Sequence, residues 1–432
     1  HKYAIDDFSC PMNAIRRKGK EMQSMDQHKE KPLEGIKVVE YGVFHAGPGG
    51  GAILGDLGAD VIKIENPAGD PLRHWTSVAG FDFSIAGNES LMNEISNRNK
   101  KAICLDINTE KGKSILHKLV READVFLTNL RKSTKAKLGI DYAVLSKINP
   151  RIIHANVSGF GPEGPMADMG AFDPLGQAWS GMTFVTGTEH PALTHIGLLD
   201  QATAITLSHA VLTALFVRER KGIGQAVHIS LYGTALWMQY INLMITNTFS
   251  VDPCIPADRN HHSPLRNAFC CKDAKWIIGT HHPENKYWGT LCEVTGQSAL
   301  LEDPRYTDPH GKPIKSAELV HLFDEVFATR TSAAWMDVLT GAGLIFAPIQ
   351  KIADVKSDPQ ALANNYVTPF THPTLGDIQI PGYPIQFSAC EAGTHAAAPK
   401  LGEHTDEILA DLGYAADDIK RFKDEDIVHQ GS

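Results

Sequence analysis

The sequence predicts an α/β protein, with a large domain on a mainly parallel sheet and a smaller α+β domain later in the chain. Three observations carry that expectation. From Pro32 onward, short apolar runs alternate with helical periodicities, the pattern of βαβ units whose sheet is covered on both faces. A helix following Asp200 is apolar nearly all round and so must be buried. Between about Phe249 and Gln350 the alternation gives way to a hairpin-like stretch and then helices.

Each element has a local reason. Ile36 to Tyr41 is a short apolar run ended by Gly42, which reads as a strand. The turn His45 to Gly51 opens a helix over Ala52 to Leu57. Pro48 suits its first turn, where the missing N–H costs nothing, and Gly58 suits the position past its end. Ala59 to Glu65 is the second strand. Lys101 to Asp106 and Asp124 to Thr128 follow, around a helix whose apolar positions are Ile115, Leu116, Leu119 and Val120. Arg151 to Val157 is a further strand. The helix after Asp200 ends at Arg218-Glu219-Arg220-Lys221-Gly222, with basic residues and glycine where dipole and C-cap favour them, and Val227 to Leu231 is a strand. Phe269 to Gly279 reads as a hairpin, Ala317 to Ala328 and Ser332 to Thr340 as helices. Leu401 to Phe422 reads as an acidic helical segment returning to the large domain. The expected divisions are an N-terminal extension at 1–31, the large domain at 32–248, the small domain at 249–350, and a linker with C-terminal helices at 351–432.

Composition narrows the function. The 432 residues are enough for two or three domains with a sizeable core. Hydrophobic residues at 43% and charged residues at 21% exclude disorder as the main state. A formal net charge of −9 argues against sequence-independent nucleic-acid binding, which requires a basic surface. The longest apolar run, Ala210 to Val217, is far shorter than the roughly 18 residues of a membrane span. Seven scattered cysteines without a CxxC, two of them adjacent at Cys270 and Cys271, suit neither a disulfide framework nor zinc. The expectation is a reduced, cytoplasmic protein without a membrane partner, and with residues 1–31 as a tail outside the fold.

Several constellations invite chemistry. Gly47, Gly49 and Ala52, with Glu65 ending the next strand, imitate a dinucleotide-binding fingerprint. Pro48 is unusual in that motif, and close helix–strand packing is the preferred explanation. An NAD-dependent dehydrogenase remains as an alternative. His261-His262 and His281-His282 point apart and lack a suitably spaced third ligand, so no metal site is expected. No G-x-S-x-G elbow occurs, which disfavours an α/β-hydrolase. Asp200, directly before the buried helix, reads first as an N-cap contributing about 1 kcal/mol. The helix dipole there would also keep its carboxylate ionised, as a nucleophile requires.

A resemblance adds to this reading. Leu33 to Glu40, Ala46-Gly47-Pro48, Leu57 to Glu65, Gly69-Asp70-Pro71-Leu72-Arg73, and Asn97 to Lys101 occur in order along the chain. Ala123-Asp124-Val125 leading to Asn129-Leu130-Arg131, Ser158 to Pro165, and Phe172-Asp173 with Gln177-Ala178 and Ser180-Gly181 follow. Gly222-Ile223-Gly224-Gln225 and Leu401 to Glu407 complete the set. From Pro32 to Leu412 the sequence resembles the family III coenzyme A transferases, the family of formyl-CoA transferase and carnitine CoA-transferase. The resemblance implies a Rossmann-like large domain, a small domain, and a homodimer of interlocked rings. It implies transfer of coenzyme A from an acyl-CoA to a carboxylic acid, with acyl-CoA as substrate and no tightly bound cofactor or metal.

By the same match, Asp200 aligns with the family's nucleophilic aspartate, which works through an aspartyl anhydride and an aspartyl-CoA thioester. Phe44, His45, Ala46, Asn66, Leu105, Asn108, Asn129, Leu130 and Lys137 fall at CoA-contacting positions, with Lys137 the partner for a phosphate. Asp173 aligns with an acidic residue near the acyl group, where a helix cap is its other reading. Two positions depart from the pattern. His45 stands where formyl-CoA transferase has glutamine, and Asn260 to Pro264 stands where that enzyme has a run of glycines. The α-methylacyl-CoA racemases share the family and are the alternative reading. They use a histidine base where this chain has Phe172, which cannot accept a proton.

Overall fold

Lys37–Glu40 (β1) has one exposed residue and three buried ones, as befits a strand entering the middle of a covered sheet. In the computed structural model, which describes residues 30–430 apart from 79, 87–88, 186–189, 195–196 and 252–257, β1 lies at the centre of a seven-stranded sheet. The expected extension at 1–31 lies outside the described residues up to position 29. Asp60–Glu65 (β2) and Lys100–Leu105 (β3) lie on one side of β1. Val125–Thr128 (β4), Ile153–Ser158 (β5) and Gln225–Ser230 (β6) lie on the other. These six strands run parallel in the order 3-2-1-4-5-6, the doubly wound order whose direction of travel reverses beside β1. Val428–His429 adds an antiparallel seventh strand on β3.

Helices cover both faces. Pro48–Asp56 (α1) begins with Pro48 in its first turn, and Gly58 beyond its end adopts φ +96°. Leu91–Asn97 (α2) packs beside it. Glu110–Glu122 (α3) buries the four apolar positions expected of it on the opposite face, together with Ile408, Leu409 and Phe422 from the C-terminal segment. That segment is two helices, Thr405–Asp411 and Ala416–Asp424, and not one, because Gly413 between them takes φ +81°. Leu198–Lys221 (α6, after α4 and α5 described below) is the longest helix among the described residues.

The expectation that α6 is buried all round is corrected. Leu199, Leu207, Val211 and Ala214 are buried, but Ile205, Leu212 and Phe216 face out of the single chain. By length and composition α6 also passes for a membrane span, although threonines, a serine and a histidine interrupt its apolar runs. Its buried face packs on α1 and on β5 and β6.

The glycines of α1 are there for close packing. All nine residues of α1 are buried. A Cβ on Gly50 would lie 2.5 Å from Leu207 Cδ2, and one on Gly51 would lie 2.0 Å from Glu40 Oε2. A helix start sealed in this way cannot receive a dinucleotide pyrophosphate, so the dehydrogenase alternative is set aside. A second core lies in residues 265–346. Ala268–Cys270, Trp276–Gly279 and Phe346–Ile349 form a three-stranded antiparallel sheet over Phe269, Trp288, Phe323, Phe327 and Trp335. His281 is satisfied within it by the Leu265 carbonyl and the Ile345 N–H, both at 2.8 Å.

Beneath the carboxyl end of β1 lies a group of four charges. Glu40, Lys63, Lys100 and Asp70 have no exposed side-chain surface. Lys100 Nζ lies 2.9 and 2.8 Å from the Glu40 oxygens and also donates to the Pro48 carbonyl. Lys63 Nζ donates to Asp70 Oδ2 at 2.9 Å, to the Gly42 carbonyl at 3.0 Å and to Glu40 Oε1 at 3.2 Å. Two cations balance two anions. Burial lowers the Lys100 pKa to about 8, whereas for Lys63 burial is outweighed by Glu40 and Asp70, which hold its ammonium above the usual lysine range.

Breaking such a group strands a buried charge. Glu40→Gln should therefore cost about 3–5 kcal/mol in chemical denaturation. The double variant Glu40→Gln/Lys100→Met, which restores charge balance around Lys63 and Asp70, should recover a substantial part of that loss. A single-variant cost under about 1 kcal/mol, the level of a surface pair, would contradict this account.

Candidate active site

In an open parallel sheet, ligands bind outside the carboxyl ends of the strands where the winding reverses, here between β1 and β4. The loop after β1 is held tightly at that point. Asn129, just past β4, accepts the Val43 N–H at 2.9 Å and donates to the Val43 carbonyl at 2.6 Å. Phe44 adopts φ +61°, and its N–H donates to Asp70 Oδ1 at 3.1 Å. The buried charges thus reach the loop directly. Phe44 then presents its ring edge-to-face to Phe172 at 5.1 Å and to Trp75 at 5.6 Å.

A cavity of about 640 Å³ opens beside this loop. Among the expected site residues, Phe44, Ala46, Asn129, Leu130 and Asp200 line it. The others lie elsewhere. Asn66 follows β2, exposed, and accepts the Ala68 N–H; Asn108 follows β3, exposed, with its amide on Asp106. Leu105 has no exposed surface and belongs to the core, so it offers a ligand no contact. Lys137 points to solvent from Lys132–Leu138 (α4), outside the cavity lining.

His45 is buried behind the cavity wall. Its Nδ1 pairs with Ser96 Oγ at 2.8 Å and its Nε2 with Gln201 Oε1 at 2.9 Å. Burial lowers its pKa and keeps the ring neutral at pH 7. The ring spans α2 and α6, and so the expected CoA contact becomes a strut behind the residue next to Asp200.

Asp200 is not the cap of α6. The helix begins at Leu198 after Gly197, whose φ of +68° favours glycine, which puts Asp200 inside the first turn. The capping acceptor is Asp173, the first residue of Asp173–Trp179 (α5). Its Oδ2 accepts the N–H groups of Leu199 at 2.7 Å and Asp200 at 3.0 Å, while Oδ1 accepts Gln177 Nε2 at 2.5 Å. Asp173 therefore caps a helix other than its own. Burial, and secondly the charge of Asp173, push the Asp200 pKa up to about 7. The expected dipole-stabilised, freely ionised carboxylate is replaced by one poised between its two forms at neutral pH.

The far side of the cavity is cationic, and the sequence reading missed it. Lys132 and Lys135 line the cavity with Arg131, and Asp141 and Glu163 stand in the same wall; His228 also lines it, with its pKa lowered by burial. Lys135 Nζ donates to Asn156 Oδ1, and the Asn156 amide donates to His154 Nδ1 at 2.5 Å. His154 Nε2 in turn donates to the Ile140 carbonyl at 2.8 Å. Burial lowers the His154 pKa to about 4, so this chain positions Lys135 without adding charge. A signal was available. Positions 132 and 135 share a helix face at a spacing of three, whereas position 137 turns away from 135. The site as built brings together a carboxylate with a raised pKa, the rings of Phe44 and Phe172, and an end that holds Arg131, Lys132 and Lys135 beside Asp141 and Glu163.

The model of CoA-transferase family III matches residues 33–405 of the chain. The chain is 34% identical over 402 residues to (R)-2-hydroxy-4-methylpentanoate CoA-transferase of Clostridioides difficile, covering 92% of this chain and 99% of that protein. It is 31% identical over 403 residues to cinnamoyl-CoA:phenyllactate CoA-transferase of Clostridium sporogenes, covering 92% and 97%. A solved CAIB/BAIF family protein from Brucella suis superposes with a TM-score of 0.76 at 28% identity, covering 89% of this chain and all of that one.

The Asp200 environment makes a prediction that requires no substrate. Carbodiimide labelling of Asp200 as a function of pH, read by peptide mass spectrometry, should show a midpoint near 7. In Asp173→Asn the adjacent charge is gone and the midpoint should move down. A wild-type midpoint near the ordinary aspartate value of about 3.9 would contradict the assignment.

Proposed function

The chain belongs to CoA-transferase family III, and from that premise we propose that it moves coenzyme A from an acyl-CoA to a carboxylic acid through covalent intermediates on Asp200. The observation that carries this reading is a half-buried carboxylate in the first turn of α6, opening into a cavity lined also by Arg131, Lys132 and Lys135, whose three cations outnumber the carboxylates of Asp141 and Glu163 beside them. Lys132, Lys135 and Arg131 suit the phosphates of coenzyme A, which leaves the thioester to reach the Asp200 end.

Asp200 Oδ attacks the thioester carbonyl of the donor, the C–S bond breaks, and CoA leaves as thiolate. The product on the enzyme is a mixed anhydride, which retains the activation of the thioester. The thiolate attacks the aspartyl carbonyl, releasing the donor acid and leaving an aspartyl-CoA thioester. The acceptor carboxylate attacks that thioester and expels the thiolate again. The thiolate then takes the acceptor acyl group from the new anhydride and frees Asp200. No proton or electron is gained or lost over the cycle. Because anhydrides hydrolyse readily, the cavity must exclude water while they exist. The racemases pair a histidine with the aspartate at this position to exchange an α-proton, and Phe172, which stands where that histidine would be, cannot take a proton.

The working unit we propose is a homodimer in which two chains interlock. Leu231–Met238 (α7) and Tyr240–Phe249 (α8) support it. No residue of α8 is buried, and Trp237 and Ile241 are each 73% exposed. A continuous apolar face of this kind is normally covered. The exposed side of α6 adds Ile205 and Phe216 to the apolar surface left open.

Asp200→Asn should lower transfer by about three orders of magnitude or more, because an amide cannot form the anhydride. In the wild type, hydroxylamine added with donor acyl-CoA should leave a hydroxamate on the peptide containing Asp200. Retained transfer by the variant, or α-deuterium uptake from heavy water without an acceptor acid at the rate of turnover, would sink the reading. Sedimentation should give twice the chain mass, with an interface well above the ~1,600 Å² of an ordinary complex. An active monomer at assay concentration would count against the interlocked dimer.

A further inference from the structure

We propose, resting on the transfer reading above, that Gln201 is a positioning residue: it keeps His45 from acting as a base toward water, and so keeps acyl-CoA hydrolysis from competing with transfer to an acid.

An acyl group carried on Asp200 is vulnerable to any base that can take a proton from water. His45 has the chemistry and the place to be that base. Phe44 before it and Ala46 after it both line the cavity with Asp200. Its ring lies against the Asp200 side of α6. A Cβ on Gly49 would stand 3.0 Å from His45 Cε1 and 3.2 Å from the Ala204 Cβ, and Ala204 follows Asp200 by one helical turn. The ring is buried and neutral, the form in which an imidazole accepts a proton.

Both ring nitrogens are nevertheless committed. A carboxamide oxygen can only accept, so Gln201 Oε1 at 2.9 Å takes the proton of Nε2, and Nδ1 accepts the Ser96 hydroxyl at 2.8 Å. In this tautomer neither nitrogen offers water a lone pair. Ser96 Oγ also lies 2.8 Å from the Met92 carbonyl. When its hydroxyl turns to Met92, the Ser96 oxygen accepts from Nδ1–H instead, and Nε2 is left bare. Ser96 serves either tautomer. Gln201 decides between them, because its oxygen requires a proton on Nε2.

The other groups around the site leave His45 as the base to restrain. Asp173 accepts three N–H groups, from Leu199 and Asp200 at Oδ2 and from Gln177 at Oδ1. His228 lines the cavity among Lys132, Lys135 and Glu163, away from α5 and the start of α6. With Nε2 bare, a water oxygen attacks the acyl carbonyl of the anhydride while Nε2 takes a water proton. The bond from that carbonyl to Asp200 Oδ breaks, Asp200 returns as a carboxylate, and the proton passes from Nε2 to the CoA thiolate. Acyl-CoA and water become acid and CoA thiol.

The test measures two rates on the whole chain: CoA thiol released without an acceptor, and new acyl-CoA formed with one. Acetyl-, butanoyl-, succinyl- and benzoyl-CoA serve as donors, and the matching acids as acceptors. Gln201→Ala should raise the ratio of hydrolysis to transfer by about tenfold or more, within what a positioned base supplies. In heavy-oxygen water the released acid should carry the label. Adding His45→Gln to Gln201→Ala should return the ratio to the wild-type level. Gln201 is exposed, so its truncation leaves the core filled, and circular dichroism checks that both variants fold. A merely structural role would lower both rates and leave their ratio in place. A ratio unmoved by Gln201→Ala, or a raised ratio that survives His45→Gln, overturns the masking of His45 while wild-type transfer keeps the transfer reading. If the wild type transfers to no acid, yet Gln201→Ala hydrolyses a donor and the double variant does not, the transfer reading falls and the masked base stands. Silence of every variant with every donor overturns both.

Discussion

Glu40, Lys63, Lys100 and Asp70 are the constraint on which the rest of the site depends. Four charges with no exposed surface are tolerable only because each has at least one opposite partner and further hydrogen-bond partners. The partners come from β1, β2, the segment after β2, and the start of β3. The group therefore ties three neighbouring strands to the loop that leaves β1. It also explains the glycine at position 51 of α1, where a Cβ would fall on Glu40. Asp70 then carries the arrangement outward through the Phe44 N–H to the wall of the cavity.

The carboxylate pair Asp173 and Asp200 shows stability and chemistry pulling against each other. A helix start needs acceptors for its free N–H groups, and Asp173 supplies them for α6. A neutral cap would serve the helix almost as well. Using a carboxylate places a like charge beside Asp200 and, after burial, is the second cause of its raised pKa. For a carboxylate nucleophile a raised pKa means greater basicity and so a stronger attack on a thioester, at the expense of the fraction ionised near pH 7. Gln177 and the cap bonds hold Asp173 in place while it exerts that influence.

Helix α6 joins this chemistry to assembly. One face buries Leu207 and Val211 against α1 and the sheet, and its first turn carries Asp200. The opposite face leaves Ile205, Leu212 and Phe216 open, and α8 is open throughout. A single helix therefore links the proposed nucleophile to the surface on which a second copy is proposed to sit. His45 and Gln201 brace its first turn from behind.

The alternation of strands and helices, the helix breaks at Gly58 and Gly222, the hairpin of the second core and the family of the chain are all legible in the linear chain. These follow from local signals: apolar period, proline and glycine positions, and ordered motifs. It also marked Asp200, through a resemblance. Tertiary structure alone decided what each marked residue does. Asp173 caps α6 from another helix, 26 residues before Leu199 in the chain, and no local spacing announces that. Leu105 and His45 match a motif but are turned into the core, because a motif specifies a place on the backbone and packing decides which way the side chain faces. Lys132 and Lys135 line the cavity and Lys137 does not, because the helical period of α4 turns position 137 away from the face they share. The poise of Asp200 depends on burial and on a neighbouring charge, both of which exist only once distant segments have packed together.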